Sequence, residues 1–362
     1  MADYLPIDKT EVITHKVKSK RYSFFNAGLL LSALWLTAGC SSIDDDLSDC
    51  GNTFEINYKL RLVTNMTTEL QTQLTTMTEV SVANALRVHL KDIFTDFAHD
   101  VDLSFYDTEG ALNRLQHDQH IMDANQSSYT LTLPMRKYMH LAIANIADND
   151  VVNLTDDEYS TSSTLLQAEG QLTDGTEIQT SHTTGLFTAR QPMEVLSGVD
   201  QTFNVRLYMA NSAATLVLDT KGHPFTDLKV YTTGFANSFL IRDSAYVFTD
   251  RSPLIIAQPV ETDSKLLCFC SVNFPSRDAK PPSAMRRAKG DTSLWQFKVY
   301  LTKPDGTVTE TILDIDEPLK AGDLKIIKGE LDDEGAVRPY NSTVGVSVTL
   351  NWNNGGNYDT PL

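Results

Sequence analysis

Only four cysteines occur in this chain, at Cys40, Cys50, Cys268 and Cys270, too few for a dense disulfide framework. No apolar run reaches the ~20 residues that a helix needs to cross a bilayer. The longest, residues 24–35, is about a dozen long. Bases are scarce: Lys and Arg number 30 against 47 Asp and Glu, a net charge of −17. Phosphate backbones would repel such a chain, so nucleic acid is excluded as a partner. Gly-x-Ser-x-Gly, His-Glu-x-x-His, a Walker loop and Gly-x-Gly-x-x-Gly are all missing. His117-Asp118-Gln119-His120 comes nearest to a metal half-site but has no second ligand cluster, and it reads as a polar loop. The acids Asp156-Asp157-Glu158 and Asp332-Asp333-Glu334 sit in turn-like contexts without the other ligands of a calcium loop. Nothing here points to an enzyme, a metal or a cofactor.

What is present begins near the amino end. Lys16, Lys18, Lys20 and Arg21 precede the apolar run, and Leu36-Thr37-Ala38-Gly39-Cys40 follows it. A basic start, a short apolar middle and small residues before a cut make a secretory signal. Leu-Thr-Ala-Gly-Cys resembles a bacterial lipobox. That resemblance implies that the Cys40 sulfur receives a diacylglyceryl group, that residues 1–39 are removed, and that the new amino end is acylated. An ordinary signal peptide or an anchor helix is the alternative. Each buried CH₂ contributes ~0.8 kcal/mol and stable anchoring takes two chains, so three chains on Cys40 hold a protein without any spanning helix. Residues 40–52, with Asp44-Asp45-Asp46 and Asp49, have neither helical nor strand periodicity and read as an acidic tether. Acids just after the lipid cysteine also resemble the surface-export signal of certain Gram-negative anaerobes; a plain solvated linker is the alternative. Residues 1–39 carry five bases and three acids, so their removal takes the charge from −17 to −19.

The remaining length is that of two domains. Residues 54–62, Phe-Glu-Ile-Asn-Tyr-Lys-Leu-Arg-Leu, alternate apolar and polar as a half-buried strand does. Residues 64–78 are Thr-rich and predict a loop. Val82, Leu86, Leu90, Ile93, Phe94 and Phe97 recur at helical spacing, predicting a helix over 82–98 that packs across a sheet. Almost everything after it is β. Strands are expected at 101–107 and at 129–134 and 138–145, the last two as a hairpin. Residues 148–186 read as loops with short edge pieces. Strands resume at 201–209 and recur to 344–352 with regular turns, Pro304-Asp305-Gly306 among them. This predicts an all-β chain of antiparallel sandwiches with one helix, the first domain over 53–198, the second over 199–352, and a polar tail at 353–362. Cys268 and Cys270 flank Phe269 on one strand face and read as small buried residues. Arg286-Arg287 with Lys289 lies in a loop that is either protease-sensitive or simply solvated.

Several stretches together carry a resemblance. They are the lipobox with its Asp-rich tether and second cysteine, the early alternating strand, Leu103-Ser104-Phe105-Tyr106-Asp107, and Leu131-Thr132-Leu133-Pro134 with Lys137-Tyr138. Lys320-Ala321-Gly322-Asp323, Ile326-Ile327-Lys328-Gly329 and the final strand complete it. In this order they resemble the fimbrial anchor lipoproteins of type V pili. The resemblance implies two tandem transthyretin-like sandwiches, an outer-membrane location facing outward, and attachment to the fimbrial stalk subunit by strand addition. In that mode, backbone hydrogen bonds provide affinity and alternate side-chain pockets provide specificity. An anchor would keep its first strand, because losing it would cut the tether, and would contribute its C-terminal segment, 344–362. Two other readings compete. One is a tip or stalk subunit of the same pili, which should show an Arg or Lys cleavage site after the first strand; Arg61 lies within it. The other is a surface glycan-binding sandwich lipoprotein.

Overall fold

A computed structural model describes residues 53–63, 72–91, 93–94, 100–108, 115–121, 128–145, 152–155, 158–162, 165–167, 177–240, 243–249, 252–278 and 293–350. In chain order the first half contains β1 (Thr53–Val63), helix α1 (Val80–Leu90), β2 (Val101–Asp107), β3 (Leu115–Ile121), β4 (Ser128–Pro134), β5 (Lys137–Ala144), β6 (Val152–Thr155), β7 (Glu158–Ser162), β8 (Leu165–Gln167), β9 (Glu177–Gln179), β10 (Phe187–Glu194) and β11 (Thr202–Met209). The second half contains β12 (Ser212–Asp219), β13 (Asp227–Thr233), β14 (Ser238–Leu240), β15 (Ala245–Val247), β16 (Leu254–Ile256), β17 (Gln258–Val260), β18 (Leu266–Asn273), β19 (Trp295–Thr302), β20 (Val308–Ile315), β21 (Leu324–Leu331), β22 (Val337–Pro339) and β23 (Gly345–Thr349). The chain is all-β, with sandwiches built from these strands.

The first sheet runs β3-β2-β5-β10-β11-β1-β4. Its halves meet at β10 and β11, which pair only through Phe187 with Met209 and Thr188 with Tyr208. The sheet therefore folds into two leaves, β3-β2-β5-β10 and β11-β1-β4. Leu103 and Phe105 from one leaf share a core with Ile56, Leu131, Leu133, Val205 and Leu207 from the other. The opposite face of the first leaf is covered too: Tyr106, Leu141 and Ile143 pack with Phe239 and Phe274. β2 is consequently buried along its whole length, including Asp102 and Ser104.

The second sandwich pairs β17-β18-β12-β21-β22 with β23-β20-β19-β13-β16-β9-β8. Alternation decides which face is which. Trp295, Phe297, Val299 and Leu301 on β19 meet Leu216, Leu218 and Phe269 across the core. The other face of the five-stranded sheet, with Val217, Cys268, Cys270 and Leu324, joins the first core and the buried stripe of α1. One sheet thus serves both cores, and the described strands of both sandwiches belong to one compact unit. Turn chemistry closes the strands where expected. At 303–307, Gly306 has φ +86°, and Asp305 accepts bonds from the Thr307 amide and hydroxyl.

Four expectations change. β4 and β5 do not form a hairpin: β4 pairs with β1, while β5 pairs with β2 and β10. Residues 134–137 are an arch between the leaves, held by the Tyr138 hydroxyl donating to the Pro134 carbonyl at 2.8 Å. Thr202–Met209, assigned by a boundary at 198/199 to the second sandwich, pairs parallel with β1 in the first sheet, and the change of sheet comes between Met209 and Ser212. The helix ends at Leu90 with Lys91 as its C-cap; Ile93 and Phe94 remain buried beyond it, and Ala98 lies outside the described residues. Residues 72–76, expected in a loop, form a helical turn that buries Leu74.

Candidate assembly strands

β1 and β23 are the strands that the resemblance implicates in assembly, and their settings differ. β1 is interior. Residues 57–63 run parallel to 202–208 of β11 on one side, and residues 53–59 run antiparallel to 128–134 of β4 on the other. The Asn57 amide also donates to the Gln201 carbonyl at 3.0 Å. Ile56 is 1% exposed in the first core. Most of the strand's backbone groups are therefore satisfied within the sheet, and removing it would leave a slot flanked by two unpaired edges.

β23 is an edge. Residues 345–349 pair antiparallel with 310–314 of β20, and among the described residues no strand lies on its other side. Its register puts Val346 opposite Leu313, on the core-facing side. Leu313 is fully buried, yet Val346 is 44% exposed and Leu350 47%. The short β22 does not extend the facing sheet over them. An edge strand normally carries a Lys, a Pro or a bulge that blocks further pairing; Gly-Val-Ser-Val-Thr carries none. An open cleft of about 450 Å³ lies near this connection, lined by Gln73, residues 325–328, Tyr340 and Asn341. Gln73 Nε2 reaches the Leu324 carbonyl there.

The other candidate residues are dispersed. Cys40, Cys50, Arg286, Arg287, Lys289 and the tail 353–362 lie outside the described residues. His117 and His120 fall on β3, a strand rather than a loop, because its backbone pairs with β2 across from Phe105 and Asp102. No cluster of three or more potential metal-ligating side chains occurs among the described residues. Asp332 is occupied by its own turn: its carboxylate accepts from the Glu334 and Ala336 amides and from Arg338. Cys268 and Cys270 are buried free thiols on one strand face. Burial pushes both thiols up, Cys270 to about 12, where the Thr215 hydroxyl donates to its sulfur at 3.3 Å. Such thiols are inert as nucleophiles or metal ligands. No described helix is long and apolar enough to cross a membrane.

No family model and no curated protein matches the chain. Solved structures do. A proposed adhesin of Bacteroides ovatus is 14% identical with a TM-score of 0.47, covering 74% of this chain and 85% of its own. A proposed polysaccharide-binding protein of Bacteroides thetaiotaomicron is 12% identical with a TM-score of 0.45, covering 80% and 98%. A proposed cell-adhesion protein of Bacteroides ovatus is 11% identical with a TM-score of 0.43, covering 81% and 97%. At TM-scores below 0.5 these likenesses carry no functional argument.

Proposed function

We propose that this protein is a structural subunit that fixes fimbriae to the outer membrane through a lipidated Cys40, with the stalk joined by strand addition. The observation that carries the reading is the placement of β1. It begins thirteen residues after the lipobox cysteine and is paired on both sides within the first sheet. A strand so held transmits tension from the lipid into the sheet, because pulling it out would break both ladders and expose Ile56. The retained strand also keeps the groove of the first sandwich filled, so growth ends at this subunit.

The complementary role falls to the C-terminal segment. β23 is an unblocked edge with partly uncovered apolar side chains, and the polar tail 353–362 follows it. β23 closes its own sheet while the tail is donated to the last stalk subunit. Deleting residues 353–362 tests this. The expected result is fimbriae released into the medium while the truncated protein stays in the outer membrane. Fimbriae that remain attached to cells after the deletion contradict the donated-tail mechanism.

A further inference from the structure

The end of the first sandwich at which the chain enters carries exposed apolar side chains on two linked loops. The amino end of β1 pairs with the end of β4, Thr53 opposite Pro134. Two short loops emerge there, residues 134–137 and 195–201. They are tied together: the Val195 amide donates to the Arg136 carbonyl at 2.9 Å. The Gln201 side chain closes the second loop, accepting from the Leu196 amide at 2.8 Å and donating to the Glu194 carbonyl at 3.2 Å. Arg136 is pinned by Asp107 at 2.7 Å. Gly198, at φ +69°, makes the reversal within 195–201.

This braced frame presents Met135, Leu196 and Val199 to solvent at 47, 45 and 57% exposure. Isolated exposed apolar residues are ordinary. Three on two hydrogen-bonded loops at one end are a different matter, because the loops are held in shape without burying them. The position is also particular. β11 runs from this end, at Thr202, to Met209, where the chain passes into the second sandwich. The loops therefore lie at the end of the first sandwich remote from the second. Twelve residues separate Thr53 from Cys40, a tether whose thirteen steps span at most ~45 Å at ~3.3–3.6 Å per residue.

We propose that Met135, Leu196 and Val199 form a lipid-contacting surface that rests on the bilayer holding Cys40. The inference rests on the lipid-anchor reading above. A short tether keeps this end near the headgroups, the Val195–Arg136 bond and the Gln201 side chain brace the two loops, and the three side chains transfer apolar area out of water on contact. Contact at this end points the second sandwich, with its C-terminal strand, away from the membrane.

The test uses the full lipidated protein in phosphatidylcholine vesicles carrying brominated acyl chains, which quench tryptophan at the headgroup–acyl boundary. Trp295 and Trp352 are present in both variants and contribute a common background. Val199→Trp should be quenched at least about twofold more than Tyr340→Trp, a control on the second sandwich that is equally exposed. Met135→Ser combined with Leu196→Ser should reduce the Val199→Trp quenching toward the control while leaving flotation with vesicles intact. Vesicle-bound protein with equal quenching of the two tryptophan variants overturns the contact and leaves the anchor standing. Wild-type protein that fails to float overturns both. Shielding of Val199→Trp from aqueous iodide only when fimbriae copurify would assign the loops to a protein partner and overturn the lipid surface.

Discussion

Lys328 Nζ on β21 donates to Glu79 Oε2 at the start of α1 across 2.6 Å. The pair bolts the helix of the first sandwich to the shared sheet of the second, beside the bond from Gln73 to the Leu324 carbonyl. Burial pushes the Glu79 carboxyl up, but hydrogen bonds from Lys328, its own backbone amide and Thr78 outweigh that and leave it below the usual Glu range. A carboxylate held low in the folded state adds stability above its unfolded pKa and loses it as pH falls through the folded value. Both side chains are partly exposed, so solvent limits the pair to ~0.2–1 kcal/mol. Lys328→Ala should lower stability by about that amount at pH 7 and by less below pH 4, read from urea midpoints at the two pH values.

The interior placement of β1 makes a larger prediction. Ile56→Ala removes a side chain that is 1% exposed in the first core, and such truncations cost ~2–5 kcal/mol. If β1 were a loosely held strand, the cost would fall below ~1 kcal/mol. Thermal melting of the purified variant separates the two outcomes.

His140 should make the fold acid-sensitive. It is fully buried on β5, its ring stacked on Phe105 at 4.3 Å, with Nδ1–H donating to the Ser104 carbonyl at 3.0 Å. Burial lowers its pKa from 6.5 to about 4, a shift the Ser104 bond only partly offsets. The unfolded chain then binds a proton that the folded chain refuses. Stability is complete above pH 6.5 and falls as pH drops toward 4, by at most ~3 kcal/mol. His140→Gln keeps a donor for Ser104 and should flatten that slope in a pH series of urea titrations. An unchanged slope would assign the acid sensitivity elsewhere.

Cys268 and Cys270 should resist thiol reagents in the folded protein. Peptide mapping after mild alkylation is expected to find both unmodified at pH 8 and both modified after denaturation. Rapid native labelling of either would contradict its burial.

Much of the strand pattern was legible because alternation is a local property. Trp295, Phe297, Val299 and Leu301 point inward as their spacing predicts, and the Pro304-Asp305-Gly306 turn forms where its chemistry places it. Pairing was not legible in the same way. Alternation at 129–134 and 138–145 identifies two strands but not their partners, and both are better satisfied by β1, β2 and β10 than by each other. The parallel union of β1 with β11 spans about 150 residues and leaves no trace in local composition. Residues 148–186 lack alternation and read as loops with short edge pieces; the described part does contain short strands, but their partners were not legible. β9 gains its place by running alongside β16, and β7 by pairing with β14. Of the candidate assembly elements, β23 was readable as the last strand before the tail, while its edge position is set by its pairing with β20 alone among the described residues. The uncovered side chain of Val346 depends on how short β22 is, and the exposed tip at Met135, Leu196 and Val199 depends on an arch that the hairpin reading concealed.

If lipid on Cys40 holds the fimbriae to the cell, as proposed, fractionation of cells carrying Cys40→Ala should find both this protein and the fimbriae gone from the outer-membrane fraction. Release of the protein with fimbriae still attached to the cells would contradict it, and would move a surface lipoprotein of another kind, such as a glycan binder, into first place.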